Sequence, residues 1–155
     1  MRPAAKRHVF EAIPARPHNL LSLLIALQDA EPRNYLSEED MQAAAQHVNV
    51  TKARVYGMVG YYSMLSATPR GRHIIRVCRS PVCRMLGAFD LVEALERELQ
   101  IAIGETTEDG AFSLEYTECL GRCTQSPAMM IDQRIYGPVD RQKLQKIIAD
   151  ARNDV

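Results

Sequence analysis

"HIIRVCRSPVCRMLGAFDLVEALERELQ", residues 73–100, decides how this chain folds. Its first six residues are short in span and rich in β-branched side chains, which predicts a strand ending at Cys78. From Arg84 the spacing becomes helical, with Leu86, Phe89, Leu91, Val92, Leu95 and Leu99 on the side expected to be buried. Between strand and helix stand Cys78 and Cys83, in C-x4-C spacing. A second pair, Cys119 and Cys123 in C-x3-C spacing, lies in "ECLGRCTQSPAMM" (residues 118–130), and the chain has no cysteine outside these two pairs.

Downstream, a turn at Asp109–Gly110 leads into a strand from Ala111 to Thr117. "AMMID" reads as a strand, "QRIYG" as a turn and a short strand, and a closing helix starts at Asp140. The order is β-α-β-β-α. One crossover helix joins two strands that should be parallel neighbours, and a hairpin and a final helix complete the domain. This is an α/β, thioredoxin-like pattern, expected over residues 67–155.

Upstream, "ATPRGR" (residues 67–72) marks a boundary through Pro69 and Gly71. Residues 18–66 read as a small helical bundle. Leu20, Leu21, Leu24, Ile25 and Leu27 mark one apolar face. Ser37 is expected to cap a helix with Asp40 in the reciprocal position, and Thr51 to cap the next. In residues 1–17, Pro3, Pro14 and Pro17 discourage regular structure, so this stretch is expected to be a flexible or partner-wrapping arm.

The chain carries 19 basic and 19 acidic residues, so it has no global field to attract nucleic acid or an acidic membrane. Trp is absent and aromatics are few, which argues against a stacking platform for single-stranded nucleic acid. The longest apolar run, "LLSLLIAL" (residues 20–27), is too short to span a bilayer. Glu11 and two prolines interrupt the N-terminal stretch, so no cleaved signal is expected and the protein is placed in the cytoplasm. Thiols stay reduced there, and paired cysteines more often bind metal than each other.

Both pairs follow predicted strands. Adjacent strands would bring all four thiolates to one edge of the sheet, converging on one point, a geometry suited to a metal centre. A structural zinc site usually takes C-x2-C knuckles, and neither pair has two intervening residues. A [2Fe-2S] cluster is wider, each iron takes two cysteines, and longer spacers let the loops wrap it. A thiol-disulfide site would need C-x-x-C near the first helix. Spacing thus favours iron–sulfur and leaves zinc or unligated thiols open. Gly87 and Gly121 give backbone freedom for amides to turn toward sulfur; Ser80, Thr124 and Ser126 could donate to it; Pro81 and Pro127 stiffen the loops.

"ARVYGMVGYYSMLSATPRGRHIIRVCRSPVCRMLGA" and "GETTEDGAFSLEYTECLGRCTQSPAMMID" resemble the thioredoxin-like [2Fe-2S] subunit of NADH dehydrogenases, the E-type subunit of bacterial complex I. Relatives occur in NAD-linked and electron-bifurcating hydrogenases and in NAD-dependent formate dehydrogenases. The resemblance runs from about His18 onward. It implies a helical bundle before a thioredoxin-like domain, and one [2Fe-2S] cluster held by Cys78, Cys83, Cys119 and Cys123. It also implies a partner flavoprotein that binds FMN and NAD(H), with further iron–sulfur subunits beside it. The chain has no dinucleotide fingerprint, and His8, His18, His47 and His73 are scattered, so hydride chemistry is assigned to the partner and electron transfer to this chain. The arm and one face of the bundle are expected to dock on that partner. The alternative is a structural zinc-binding interaction module. Departures from the family pattern are Arg122 before the last cysteine, Arg79 and Arg84 around the C-x4-C loop, and Tyr61-Tyr62 where Phe-Tyr is common. An arginine pointing at the cluster would raise its potential, because the added electron is attracted.

Overall fold

The structure, a computed structural model, describes residues 4–153. The chain divides into two compact units, with the division between Arg70 and Gly71.

The first unit is helical: α1 (Ala4–Ala12), a 3-10 turn (Pro17–Asn19), α2 (Leu20–Asp29), α3 (Glu38–His47) and α4 (Lys52–Tyr61). Leu20, Leu23, Leu24 and Leu27 of α2 pack with Leu36, Met41, Val48, Val55 and Val59 in one core. Leu21 and Ile25 lie at its margin rather than inside. Ser37 and Asp40 form the expected capping box, and Thr51 accepts from the Arg54 amide at the head of α4. A cap of this kind contributes about 1 kcal/mol by satisfying an otherwise orphaned amide.

The arm expected over residues 1–17 holds a helix instead. Pro3 and Pro14 flank α1 rather than interrupt it, and the span between them is free of Pro and Gly. Val9, Phe10 and Ile13 pack on the bundle core. Lys6 is buried, and its ammonium lies 2.6 Å from Glu31 and 2.7 Å from Asp40. Burial pushes the Lys6 ammonium down, but hydrogen bonds and charge from Asp40 and Glu31 outweigh it, leaving the group above its ordinary value. A buried charge without partners is strongly destabilising, so this contact specifies where α1 sits.

The bundle also runs further than residue 66. Gln28 donates to Met64 O at 3.0 Å and accepts from the Ser66 amide at 2.8 Å. Arg33 Nε donates to Arg70 O at 2.7 Å, and Arg70 Nε to Asn34 O at 2.9 Å. These bonds tie residues 67–70 back to the α2–α3 connection. Gly71 opens the second unit: its amide donates to Ser113 Oγ at 2.7 Å, and a Cβ there would overlap the Phe112 backbone.

The second unit comprises β1 (His73–Cys78), α5 (Pro81–Met85), α6 (Ala88–Leu99), β2 (Phe112–Thr117), a 3-10 turn (Cys123–Gln125), β3 (Met129–Ile131), β4 (Arg134–Tyr136) and α7 (Arg141–Asn153). The strand order is β2-β1-β3-β4. β1 and β2 are parallel with Cys78 opposite Thr117, while β3 runs antiparallel to both β1 and β4. The crossover, the hairpin and the closing helix agree with the thioredoxin-like reading. Ile75, Val77, Phe112, Leu114 and Met129 from the sheet form one core with Leu91, Val92 and Leu95 of α6 and Leu144, Ile147 and Ile148 of α7.

One helix was expected over residues 84–100, and the structure has two, the first of which starts at Pro81 and holds Cys83. Gly87 sits at φ +99°, a left-handed conformation that ends one helical path and starts another. The second helix has its own phase, burying Ala88, Leu91, Val92, Leu95 and Leu99. Leu86 caps the end of the first helix and Phe89 falls off the phase of the second, so both are exposed rather than buried.

Candidate metal centre

The sheet order dictates where the cysteines meet. β2 and β3 flank β1 on opposite sides, so the segment joining them must cross over the end of β1. Hydrogen bonds mark both feet of this arch. The Arg79 amide donates to Thr117 O at 3.0 Å, and the Cys78 amide donates to Ala128 O at 3.1 Å. Residues 118–127 therefore span the carboxyl end of β1, carrying Cys119 and Cys123 over Cys78. Ligand sites in α/β sheets gather at such strand ends.

Cys78 is the last residue of β1 and Cys83 lies in α5, which Pro81 begins at its first turn. Both are buried, at 1% exposure each, whereas Cys119 and Cys123 are exposed. All four are free thiols. They interact as two pairs: Cys78 hydrogen-bonds with Cys83, and Cys123 with Cys119 while feeling the charge of Cys83 and Cys78. Among the described residues no three His, Cys, Asp or Glu side chains are grouped so as to hold a single metal ion. The structure thus brings the thiols together as two neighbouring pairs, one on β1 and α5 and one on the arch.

Donors reach the sulfurs from several directions. Ser80 Oγ lies 3.3 Å from Cys78 Sγ; the neutral thiol donates here, and the hydroxyl becomes the donor once sulfur is ionised. Ser126 Oγ lies 3.3 Å from Cys83 Sγ. The Gly121 amide donates to Cys119 Sγ at 3.4 Å, made possible by φ +70° at that glycine. Burial pushes the Cys78 thiol up, but hydrogen bonds from Ser80, from the Ser80 and Leu120 backbone and from Cys83 prevail and hold it below the ordinary thiol range. The Cys123 thiol is raised, chiefly by its hydrogen bond with Cys119 and by that neighbour's charge. Two of the three hydroxyls singled out in the sequence thus reach sulfur; Thr124 stands exposed on the 3-10 turn. The Leu120 amide and the Ala128 carbonyl were not legible beforehand, since backbone groups carry no side-chain signature.

Two of the three arginines around the cysteines have other partners. Arg79 Nε donates to Glu118 Oε1 at 2.9 Å in an exposed ion pair. Arg84 lies over the Phe89 ring, 5.0 Å from its centroid, and Arg122 is exposed. The histidines are engaged elsewhere: His73 opens β1, at the end opposite Cys78, with Nδ1 2.7 Å from Asp132 Oδ2, and His47 meets Ile13 O at 2.9 Å.

The donor set is chemically coherent. Four sulfurs in two pairs, with hydroxyl and amide donors turned to them, suit a binuclear iron–sulfur group, whose thiolates carry negative charge that such donors stabilise. The family of thioredoxin-like [2Fe-2S] ferredoxins matches residues 6–152. The chain belongs to that family. As a ferredoxin it carries a [2Fe-2S] cluster and its function is electron transfer. The ferredoxin is similar to the NADP-reducing hydrogenase subunit HndA of Solidesulfovibrio fructosivorans, at 34% identity over 140 residues, covering 90% of this chain and 81% of that protein. It is also similar to the E-type subunit of the NADH-quinone oxidoreductase of Pseudomonas aeruginosa, at 35% identity over 116 residues, covering 75% of this chain and 70% of that protein. Among solved structures, a chain of an NAD+-reducing [NiFe]-hydrogenase in the air-oxidised state superimposes with TM-score 0.76 over 93% of the ferredoxin at 19% identity, a likeness of fold. The ferredoxin spans 24% of that longer chain.

Proposed function

We propose that this ferredoxin is the electron-carrying subunit of an NAD(H)-linked, flavin-containing oxidoreductase complex, with Cys78, Cys83, Cys119 and Cys123 as the cluster ligands. The observation that carries this reading is the arch of residues 118–127 over the end of β1, which assembles two thiol pairs with donors directed at three of the four sulfurs. When bound, the cluster supplies one-electron redox chemistry. The buried Cys78 and Cys83 and the exposed Cys119 and Cys123 would hold it. Ser80, Ser126 and the Gly121 amide stabilise negative charge on sulfur. Hydride exchange with NAD(H) belongs to an FMN-bearing partner subunit, as the sequence has no phosphate-binding glycine loop for a dinucleotide. The relatives named above are subunits of an NADP-reducing hydrogenase and of an NADH-quinone oxidoreductase. Among the described residues no helix is long and apolar enough to cross a membrane.

The purified full chain tests this directly. Iron and acid-labile sulfide near two each per chain, visible absorption and an electron paramagnetic resonance signal on reduction are expected. A colourless protein holding about one zinc per chain would instead establish the structural zinc module.

A further inference from the structure

The hairpin that carries one foot of the arch is built on few ladder bonds. β3 and β4 have three residues each. β3 faces β1 over three pairs, from Ile75 with Ile131 to Val77 with Met129. So short a strand specifies its register weakly by itself, and the contacts at its two ends must fix it. At one end Ala128 O accepts from the Cys78 amide, which is the arch foot. At the other end stands Asp132 at φ +52°, a left-handed conformation that aspartate tolerates because its side chain bonds locally.

Asp132 makes three bonds to the start of β1. Its amide donates to Ile74 O at 3.0 Å, Oδ1 accepts from the Ile74 amide at 2.8 Å, and Oδ2 accepts from His73 Nδ1 at 2.7 Å. A carboxylate only accepts, so the ring hydrogen of this pair lies on Nδ1. β2 holds His73 from the other side of β1: its ring tilts against that of Phe112, with centroids 5.7 Å apart. Its Nε2 is buried and meets no hydrogen-bond partner among the described residues. A buried polar atom left unpaired is a cost, and a phenyl ring would fill the same place without it. The imidazole thus serves through its bond to Asp132.

We propose that His73 and Asp132 are positioning residues for the cluster, a latch at the amino end of β1 that sets the register of β3 and, through it, the foot of the arch bearing Cys119 and Cys123. The inference rests on the reading of the four cysteines as the cluster ligands. His73 and Cys78 are the first and last residues of β1, about 16 Å apart along the strand. The pair therefore acts on the cysteines through β3 and not by contact. β4 continues from the same turn to Gly137, whose backbone closely approaches Gln125, so the hairpin bears on the arch at a second place.

The test compares His73→Phe, Asp132→Ala and Asp132→Asn with Leu99→Ala, a core truncation at the last residue of α6. Amide exchange is read residue by residue by mass spectrometry on the cluster-loaded full chain, and the reduced cluster by electron paramagnetic resonance. In His73→Phe and Asp132→Ala the Cys78 amide, bonded to Ala128, is expected to exchange at least about tenfold faster. The Arg79 amide, bonded to Thr117 at the other foot, should keep its wild-type rate, and the resonance positions of the reduced cluster should shift. Asp132→Asn should stay near the wild type, because its carbonyl oxygen accepts from the Ile74 amide and its NH2 donates to Nδ1 in the other ring tautomer. Leu99→Ala should change neither the ratio of the two rates nor the resonances. If both latch variants leave the Cys78 amide at its wild-type rate, or speed the two feet equally, the pair is an ordinary structural contact and the proposal falls. Resonances that stay in place while the Ala128 foot opens overturn it as well, with the functional reading intact. A wild-type chain that holds no iron–sulfur cluster removes the functional reading, and the role toward the cluster with it.

Discussion

The two cysteine pairs face the same edge of one sheet, yet they are held in different ways. Cys78 and Cys83 sit on regular elements, the end of β1 and the single turn of α5, and both are buried in the core of the second unit. Cys119 and Cys123 ride on an arch of irregular backbone and stand exposed. The first pair is positioned by packing, the second by the two feet of the arch and by close backbone approach from below. A Cβ on Gly137, just after β4, would overlap the carbonyl oxygen of Gln125 and lie 3.3 Å from that of Pro127. Rigidity on one side and an adjustable arch on the other let a cluster be enclosed without opening the hydrophobic core.

The largest expected effect treats the pairs alike. Cys83→Ser and Cys119→Ser should each lose or badly destabilise the cluster, because a hard oxygen replaces a soft thiolate. Iron and sulfide assays measure this, and a full complement in either variant would remove that residue from the ligand set. The cluster-free forms should then separate the pairs. Cys83→Ser places a hydroxyl in the core and is expected to cost about 1–3 kcal/mol in chemical denaturation, whereas Cys119→Ser on the surface should stay within about 0.5 kcal/mol.

Access to reagents draws the contrast more directly. In cluster-free protein, alkylation by iodoacetamide followed by peptide mass spectrometry should label Cys119 and Cys123 at least about tenfold faster than Cys78 and Cys83, because burial of the inner pair outweighs the lowered Cys78 and raised Cys123 thiols. Equal rates would mean that the inner pair opens as readily as the outer. Gly137→Ala probes the arch without touching a cysteine. The overlap with Gln125 should cost about 1–3 kcal/mol and lower cluster occupancy, read from the ratio of visible to protein absorbance. Unchanged stability and occupancy would show that the arch does not depend on this support.

The smallest effect concerns potential. Ser80→Ala and Ser126→Ala each remove a hydroxyl from a sulfur of the inner pair. A hydrogen bond favours the more negative, reduced state, so each loss should lower the midpoint by on the order of 50 mV, the equivalent of about 1 kcal/mol for one electron. Thr124→Ala should leave it unmoved, and redox titration followed by electron paramagnetic resonance distinguishes them. Arg79→Ala is expected to shift it less than the serine changes, because Glu118 already offsets that charge.

Local chemistry was legible in the residues themselves. Spacing of the cysteines, the Ser37 and Thr51 caps, the strand ending at Cys78 and the family motifs all depend on neighbours within a few positions. Single residues misled where a local rule met a distant partner. Three prolines suggested an arm, but Lys6 finds Glu31 and Asp40 more than twenty residues away and the helix between the prolines docks. A continuous apolar pattern suggested one helix, but Gly87 resets the phase and turns Leu86 and Phe89 outward.

By itself the sequence determined that four thiols would come in two pairs following strands, with spacing that favours iron–sulfur over zinc, and its resemblance to the ferredoxin family carried the electron-transfer reading. Which pair would be enclosed, and which would close from outside, was decided by the tertiary structure alone. The reason is strand order. Only when β2 and β3 take places on either side of β1 must their connection cross its end. Only then does the C-x3-C segment become the outer cover and the C-x4-C segment the inner seat.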